Sequence, residues 1–145
     1  LSFDELLDDH DHDHQAPGHH HLHDAYDSVT FTSTTDLDPR KLIALLEDPP
    51  VGLFRAKGFA TFATPDDQRK FLLHMVGHHV VFEPAPWSRG EPRETQLVFI
   101  GSGLDPAATL TRLRDTVHTS PATLDEQTLL GVWRYVPREL SDAEL

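Results

Sequence analysis

Residues 95–113 read TQLVFIGSGLDPAATLTRL. The first seven, Thr95 to Gly101, make the short apolar run expected of an inner strand, buried on both faces. Leu104-Asp105-Pro106 follows. Asp is a good N-cap because its carboxylate accepts a bond from an otherwise unpaired N–H of the first turn, and Pro at the first helical position loses no hydrogen bond. Leu110, Leu113 and Val117 then recur at helical spacing, with Arg112 and Arg114 turned outward. The same order occurs earlier. Ser28-Val29-Thr30-Phe31-Thr32-Ser33 alternates apolar and hydroxyl side chains, as a half-buried strand does. Leu37-Asp38-Pro39 repeats the helix start, and Leu42, Ile43, Leu45 and Leu46 fall on one helical face until Pro49-Pro50 ends it.

Between the two units lie two long strand candidates, VGLFRAKGFATFAT (residues 51–64) and KFLLHMVGHHVVFE (residues 70–83). A turn at Thr64-Pro65-Asp66-Asp67 separates them, and Gly77 predicts a bulge or bend inside the second. Pro84 to Pro92 reads as a loop carrying Trp87. The order β-α-β-β-β-α predicts an α+β two-layer sandwich. Its sheet has about four mainly antiparallel strands, and two helices cover one face. Gly131 to Pro137, GVWRYVP, fits either an edge strand or a tail that packs Trp133. The expected organisation is therefore a leading segment (1–27), an α+β domain (28–120) and a C-terminal tail or edge element (121–145). Ser2 and Glu5 have capping-box spacing and suggest the end of a helix from a preceding domain. The first residue is Leu, and the chain is expected to be part of a longer protein.

Charge is distributed unevenly. The 145 residues carry a formal charge of −12, and residues 1–27 supply −8 of it, with 8 acids and no Lys or Arg. A balance of this sign disfavours nucleic acid and anionic lipid, which need a basic footprint. The absence of cysteine removes disulfides and thiolate-bound zinc or iron–sulfur sites from this chain. No apolar run approaches the roughly 20 residues that cross a bilayer, and no signal peptide is visible. A cytoplasmic location is expected.

Seven of the 11 histidines lie in DDHDHDHQAPGHHHLH, Asp8 to His23. Imidazole suits zinc, cobalt, nickel and copper, and carboxylates can complete the shell. His10, His12 and His14 alternate with Asp11 and Asp13. His19, His20, His21 and His23 form a second group beyond Pro17-Gly18. Each group has enough ligands for one divalent ion, held in several interchangeable ways. That suits collection of metal, zinc first, with cobalt or nickel as alternatives. A solvated linker with incidental histidines and a cloning tag are the competing readings.

Elsewhere the signals are weaker. On a single strand, His74 and His78 would share a face and His79 the other, unless Gly77 breaks the alternation. A metal held by His74 and His78 with help from His118 competes with a plainer reading, that of polar positions on a solvated sheet face. Arg55 and Lys57 share a strand face and fit contact with a phosphate, a partner domain or an acidic client. They equally fit snorkelling over apolar surface. Gly58 reads as a bulge or a close approach. Trp87 is either a partner anchor or a ring folded over the end of the sheet.

GLFRAKGFATFAT (residues 52–64) resembles the R-x-K-G strand of the C-terminal domain of CobW-type proteins. TQLVFIGSGLDPAATLTRL resembles that domain's closing strand and helix. A His-rich acidic segment ahead of such a domain is typical of the family, whose members are P-loop GTPases related to the UreG and HypB metallochaperones. The resemblance covers about residues 1–118. It implies a regulatory or client-docking domain of a GTP-dependent metallochaperone, with partners that comprise metal, a GTPase domain in cis or in trans, and a metalloenzyme client. GTP and magnesium would bind only an upstream domain. Gly52 and Gly58 lie six apart near Lys57, but no G-K-[ST] follows, and the family's Cys-rich motif is missing. No catalytic residue is therefore expected in this chain. The alternatives are a stand-alone His-rich metal buffer and an interaction module without a GTPase.

Overall fold

The structure is a computed structural model that describes residues 26–137. Five strands form one antiparallel sheet: β1 (Asp27–Ser33), β2 (Leu53–Ala60), β3 (Lys70–Val76), β4 (His79–Ala85) and β5 (Thr95–Gly101). Their spatial order is β1-β5-β2-β3-β4. Helices α1 (Pro39–Glu47) and α2 (Pro106–Arg114) follow β1 and β5. The α+β class, the mainly antiparallel sheet and both βα units are as expected. The expected short helix ending near Leu7 lies outside the described residues.

The sheet has five strands where about four were expected. The 70–83 run is a hairpin, with Val76 opposite His79 and only Gly77-His78 between them. Gly77 has φ +59° and open space where a Cβ would lie. The turn itself therefore selects glycine, at the first central position that a two-residue type II′ loop reserves for it. The 51–64 run is also shorter than expected as a strand. After Ala60 the chain leaves the ladder, and Phe62 bridges to Leu37 instead.

Both helices start as their sequence dictates. Asp38 accepts from the Arg40 amide at 2.9 Å, and Asp105 from the Ala108 amide at 3.1 Å, each ahead of a proline at the helix start. Leu37 ties the two units together. Its amide donates to Thr61 O, its carbonyl accepts from Ala63 N, and it bridges Val117 beyond α2.

The core lies between the helices and one sheet face. Val29, Phe31, Ala56, Phe71, Leu73, Met75, Phe82, Leu97 and Phe99 point into it from the strands. Leu42, Ile43, Leu45, Leu46 and Leu113 meet them from the helices. Each such fully buried side chain contributes roughly 1.5–3 kcal/mol relative to exposure. β5 sits between β1 and β2 and is buried along most of its length, as an inner strand should be.

The 131–137 stretch is not a strand. A 3-10 turn (Glu126–Leu129) runs into α3 (Leu130–Trp133), and the two pack on the same core through Leu129 and Val132 respectively. Trp133 meets Phe71 edge to face at 5.9 Å. Beyond it, Tyr135 O accepts from Phe82 N at 2.9 Å, so one backbone group of edge strand β4 is satisfied by this tail. Among the described residues no helix is long and apolar enough to cross a membrane.

Candidate functional site

The nine metal-ligand candidates, His10, Asp11, His12, Asp13, His14, His19, His20, His21 and His23, lie outside the described residues. Of the remaining candidates, Arg55, Lys57, His74 and His79 lie on the sheet face opposite the helices.

Antiparallel register fixes which side chains share that face. One row runs Thr30, Val98, Lys57, His74, Val81 across the five strands. The next runs Ser28, Ile100, Arg55, Val76, His79. Arg55 and Lys57 do share a face. The hairpin at Gly77, however, changes the histidine pairing. His74 shares this face with His79 as a diagonal neighbour, while His78 occupies the turn. All three are exposed. His118 does not join them. Its amide bonds Asp36 O, and its Nε2 lies 2.9 Å from Ala122 O in the loop after α2. Among the described residues no three His, Asp or Glu side chains are grouped to hold a metal.

The middle of this face is dry. Val98 is 2%, Ile100 3% and Lys57 3% exposed. Arg55 is half-buried. Gly58 lies on the core-facing side with φ +139°, and a Cβ there would sit 2.0 Å from Gln96 O. The glycine of R-x-K-G is thus a close backbone approach between β2 and β5, as one of the two sequence readings supposed.

Trp87 lies over one end of the sheet. Its indole N–H donates to Gln68 O at 2.9 Å, and its ring meets Phe59 edge to face at 6.0 Å. Lys70 is 3% exposed and lies between them, with Nζ 4.9 Å from the Phe59 centroid and 5.2 Å from that of Trp87. Its charge is met by Glu91 at 2.8 Å. Burial pushes the Glu91 carboxyl upward, but hydrogen bonds from Lys70 and the Ser88 amide outweigh it and hold the group below its ordinary value. Sequence reading missed this Lys70–Glu91 pair. The two are 21 positions apart, and no local pattern links them. It also missed the His74–His79 pairing, for which Gly77 in an overlong strand run was the available signal.

The comparisons with known proteins agree on the fold. The model of the cobalamin synthesis protein cobW C-terminal domain matches residues 26–117. No curated protein matches the chain. Two similar solved structures are the Zn(II)-bound YjiA GTPase from E. coli and a Zn(II)-bound triple mutant of YjiA GTPase. Each has a TM-score of 0.53, at 18% and 19% identity respectively. Each alignment covers 65% of this chain and 30% of the YjiA chain, so this chain corresponds to under a third of those proteins.

Proposed function

We propose a function that proceeds from one premise: this chain belongs to the family of the cobalamin synthesis protein cobW C-terminal domain. In this reading the domain is the regulatory or client-docking part of a GTP-dependent metallochaperone that acts in the cytoplasm. The Asp8–His23 segment collects a divalent metal, zinc first, for homeostasis or for insertion into a metalloenzyme client. Catalysis belongs to a P-loop domain, in cis or in trans, that supplies GTP and magnesium binding.

One observation carries the reading. The family match begins at residue 26, directly after a segment with seven histidines between His10 and His23. Ligand-rich sequence therefore abuts a domain whose relatives of the same fold include a GTPase solved with Zn(II) bound. Neutral imidazoles on a short tether exchange metal quickly, which suits handover more than permanent storage. If GTP binding changes metal affinity, metal must change GTP affinity by the same factor.

The test is the intact mass of the native polypeptide, captured from its source cells with an antibody to this domain. The expected mass is well above 16.3 kDa, with a P-loop in the additional sequence. A native mass near 16.3 kDa, with no GTPase captured alongside, would contradict the chaperone reading.

A further inference from the structure

We propose that the open edge of β1 and the groove between it and α2 form a docking site for an extended segment of a partner protein, which adds to the sheet as a further strand and carries an acidic side chain for Arg114. The inference goes beyond metal collection and does not depend on it.

The two edges of the sheet are treated differently. An edge strand leaves a row of N–H and C=O groups unpaired, and proteins blunt such rows with proline, charge, bulges or a covering segment. β4 is blunted in this way. It contains Pro84, which has no N–H, and Phe82 N donates to Tyr135 O of the tail at 2.9 Å. β1 is not. It pairs with β5 without interruption from Asp27 opposite Gly101 to Ser33 opposite Thr95. Its sequence, DSVTFTS, holds no Pro, Gly, Lys or Arg. Every other residue of such a strand turns its N–H and C=O away from its neighbour. Among the described residues, no backbone group of β1 bonds anything outside the β5 ladder.

A groove runs along this edge. It is a cleft of about 310 Å³, lined by Thr30 to Ser33 on the strand side and by Leu110, Arg114 and Val117 on the helix side. An added strand sends alternate side chains to opposite faces. Those on the helix side would enter the cleft, apolar ones against Leu110 and Val117. Those on the other side would stand beside the exposed Ser28, Thr30 and Thr32, where hydroxyl side chains pair well across strands.

Charge selects the occupant. Arg114 is exposed and has no ion-pair partner among the described residues. Arg114 and Val117 also line a larger cleft of about 710 Å³ between α1 and α2. The charged lining there is Lys41, Arg112 and Arg114 against Asp48 and Asp115, a local positive excess on a chain of net charge −12. Such a lining favours an acidic segment. A second copy of this chain fits less well. Its β1 offers one acid, Asp27, whose carboxylate already accepts from Leu104 N at 2.9 Å, and two chains of this charge repel.

The test uses a capped synthetic peptide, Thr-Val-Thr-Glu-Thr-Val-Thr, titrated into the full chain and followed by the amide NMR signals. Signals of β1 and α2 should shift. The same peptide with every amide N-methylated cannot donate to the edge, and its binding should be weaker by about tenfold or more. Arg114→Glu should weaken the parent peptide by about fivefold, and a peptide with Lys in place of its Glu should recover that loss. The recovery also shows that the variant is folded. Unmoved β1 and α2 signals at millimolar peptide would overturn the inference, as would equal binding of the N-methylated peptide. Equal binding of the parent peptide to Arg114→Glu would overturn the acidic preference. Concentration-dependent self-association that moves the β1 signals without peptide would assign the edge to a second copy instead. Peptide binding that appears only after deletion of residues 8–23 would assign it to the chain's own leading segment, and either result overturns the partner reading.

Discussion

Lys70 Nζ sits 2.8 Å from Glu91 Oε2 while facing the ring of Trp87 at 5.2 Å, so one buried ammonium pins the 85–91 loop to the sheet. Glu91 answers twice, accepting from Lys70 with one oxygen and from the Ser88 amide with the other, at 2.8 Å each. Replacing Glu91 by Gln should leave the lysine charge poorly met and destabilise the fold by about 2 kcal/mol, the usual worth of a charged hydrogen bond. Urea denaturation followed by tryptophan fluorescence would measure it. A difference under about 0.5 kcal/mol would mean the loop is held by the Trp87–Phe59 contact instead.

Acid should release the same loop. The Glu91 carboxyl lies below the ordinary glutamate value of 4.5 in the folded protein. A depressed folded value means its stabilisation is complete above the unfolded value and is lost as pH falls through the folded one. Trp87 fluorescence should therefore hold steady down to about pH 4.5 and change below it. In Glu91→Gln that acid transition should be absent or much reduced.

Gly58→Ala should be among the most damaging single changes. The new methyl would meet Gln96 O at 2.0 Å and Leu97 Cα at 2.9 Å, both backbone atoms that cannot turn aside. Together with φ +139°, this predicts a loss of roughly 3 kcal/mol or more. Gly77→Ala makes the contrast. There the space is open and only the positive φ is strained, so a cost of about 1 kcal/mol is expected. Thermal unfolding of the two variants side by side would rank them.

How far the sequence predicted this structure depended on whether the determining physics was local. The two Asp-Pro helix starts were legible because a cap and its proline act within four residues, and Asp38 and Asp105 do bond the amides they should. The inner position of β5 was legible from an unbroken apolar run. The β3–β4 hairpin was not read, although FLLHMVGHHVVF exceeds an ordinary strand. Its alternation continues through Gly77 nearly as well as around it. The 126–133 turns were missed because Val132, Trp133 and Tyr135 favour strands in isolation. Packing of Leu129 and Val132 on the core overrode that preference. The seat of Trp87 on Phe59 and Lys70 needed contacts 17 to 28 positions apart, which no window of sequence displays.

Metal uptake should depend on pH. An imidazole must be neutral to ligate, so zinc affinity should fall as pH drops through about 6.5. Competition titrations at pH 7.5 and 5.5 would show it. Affinity unchanged between them would assign the metal to carboxylates such as Asp11 and Asp13.

The most direct test of the account is the zinc bound per chain by the intact protein and by a variant lacking residues 8–23. At neutral pH the intact chain should bind at least one zinc ion. The shortened chain should lose most of that binding and still fold, because the core cluster from Val29 to Val136 lies outside the deleted stretch. A shortened chain that retains the full zinc stoichiometry would contradict the claim that the His-rich segment collects the metal.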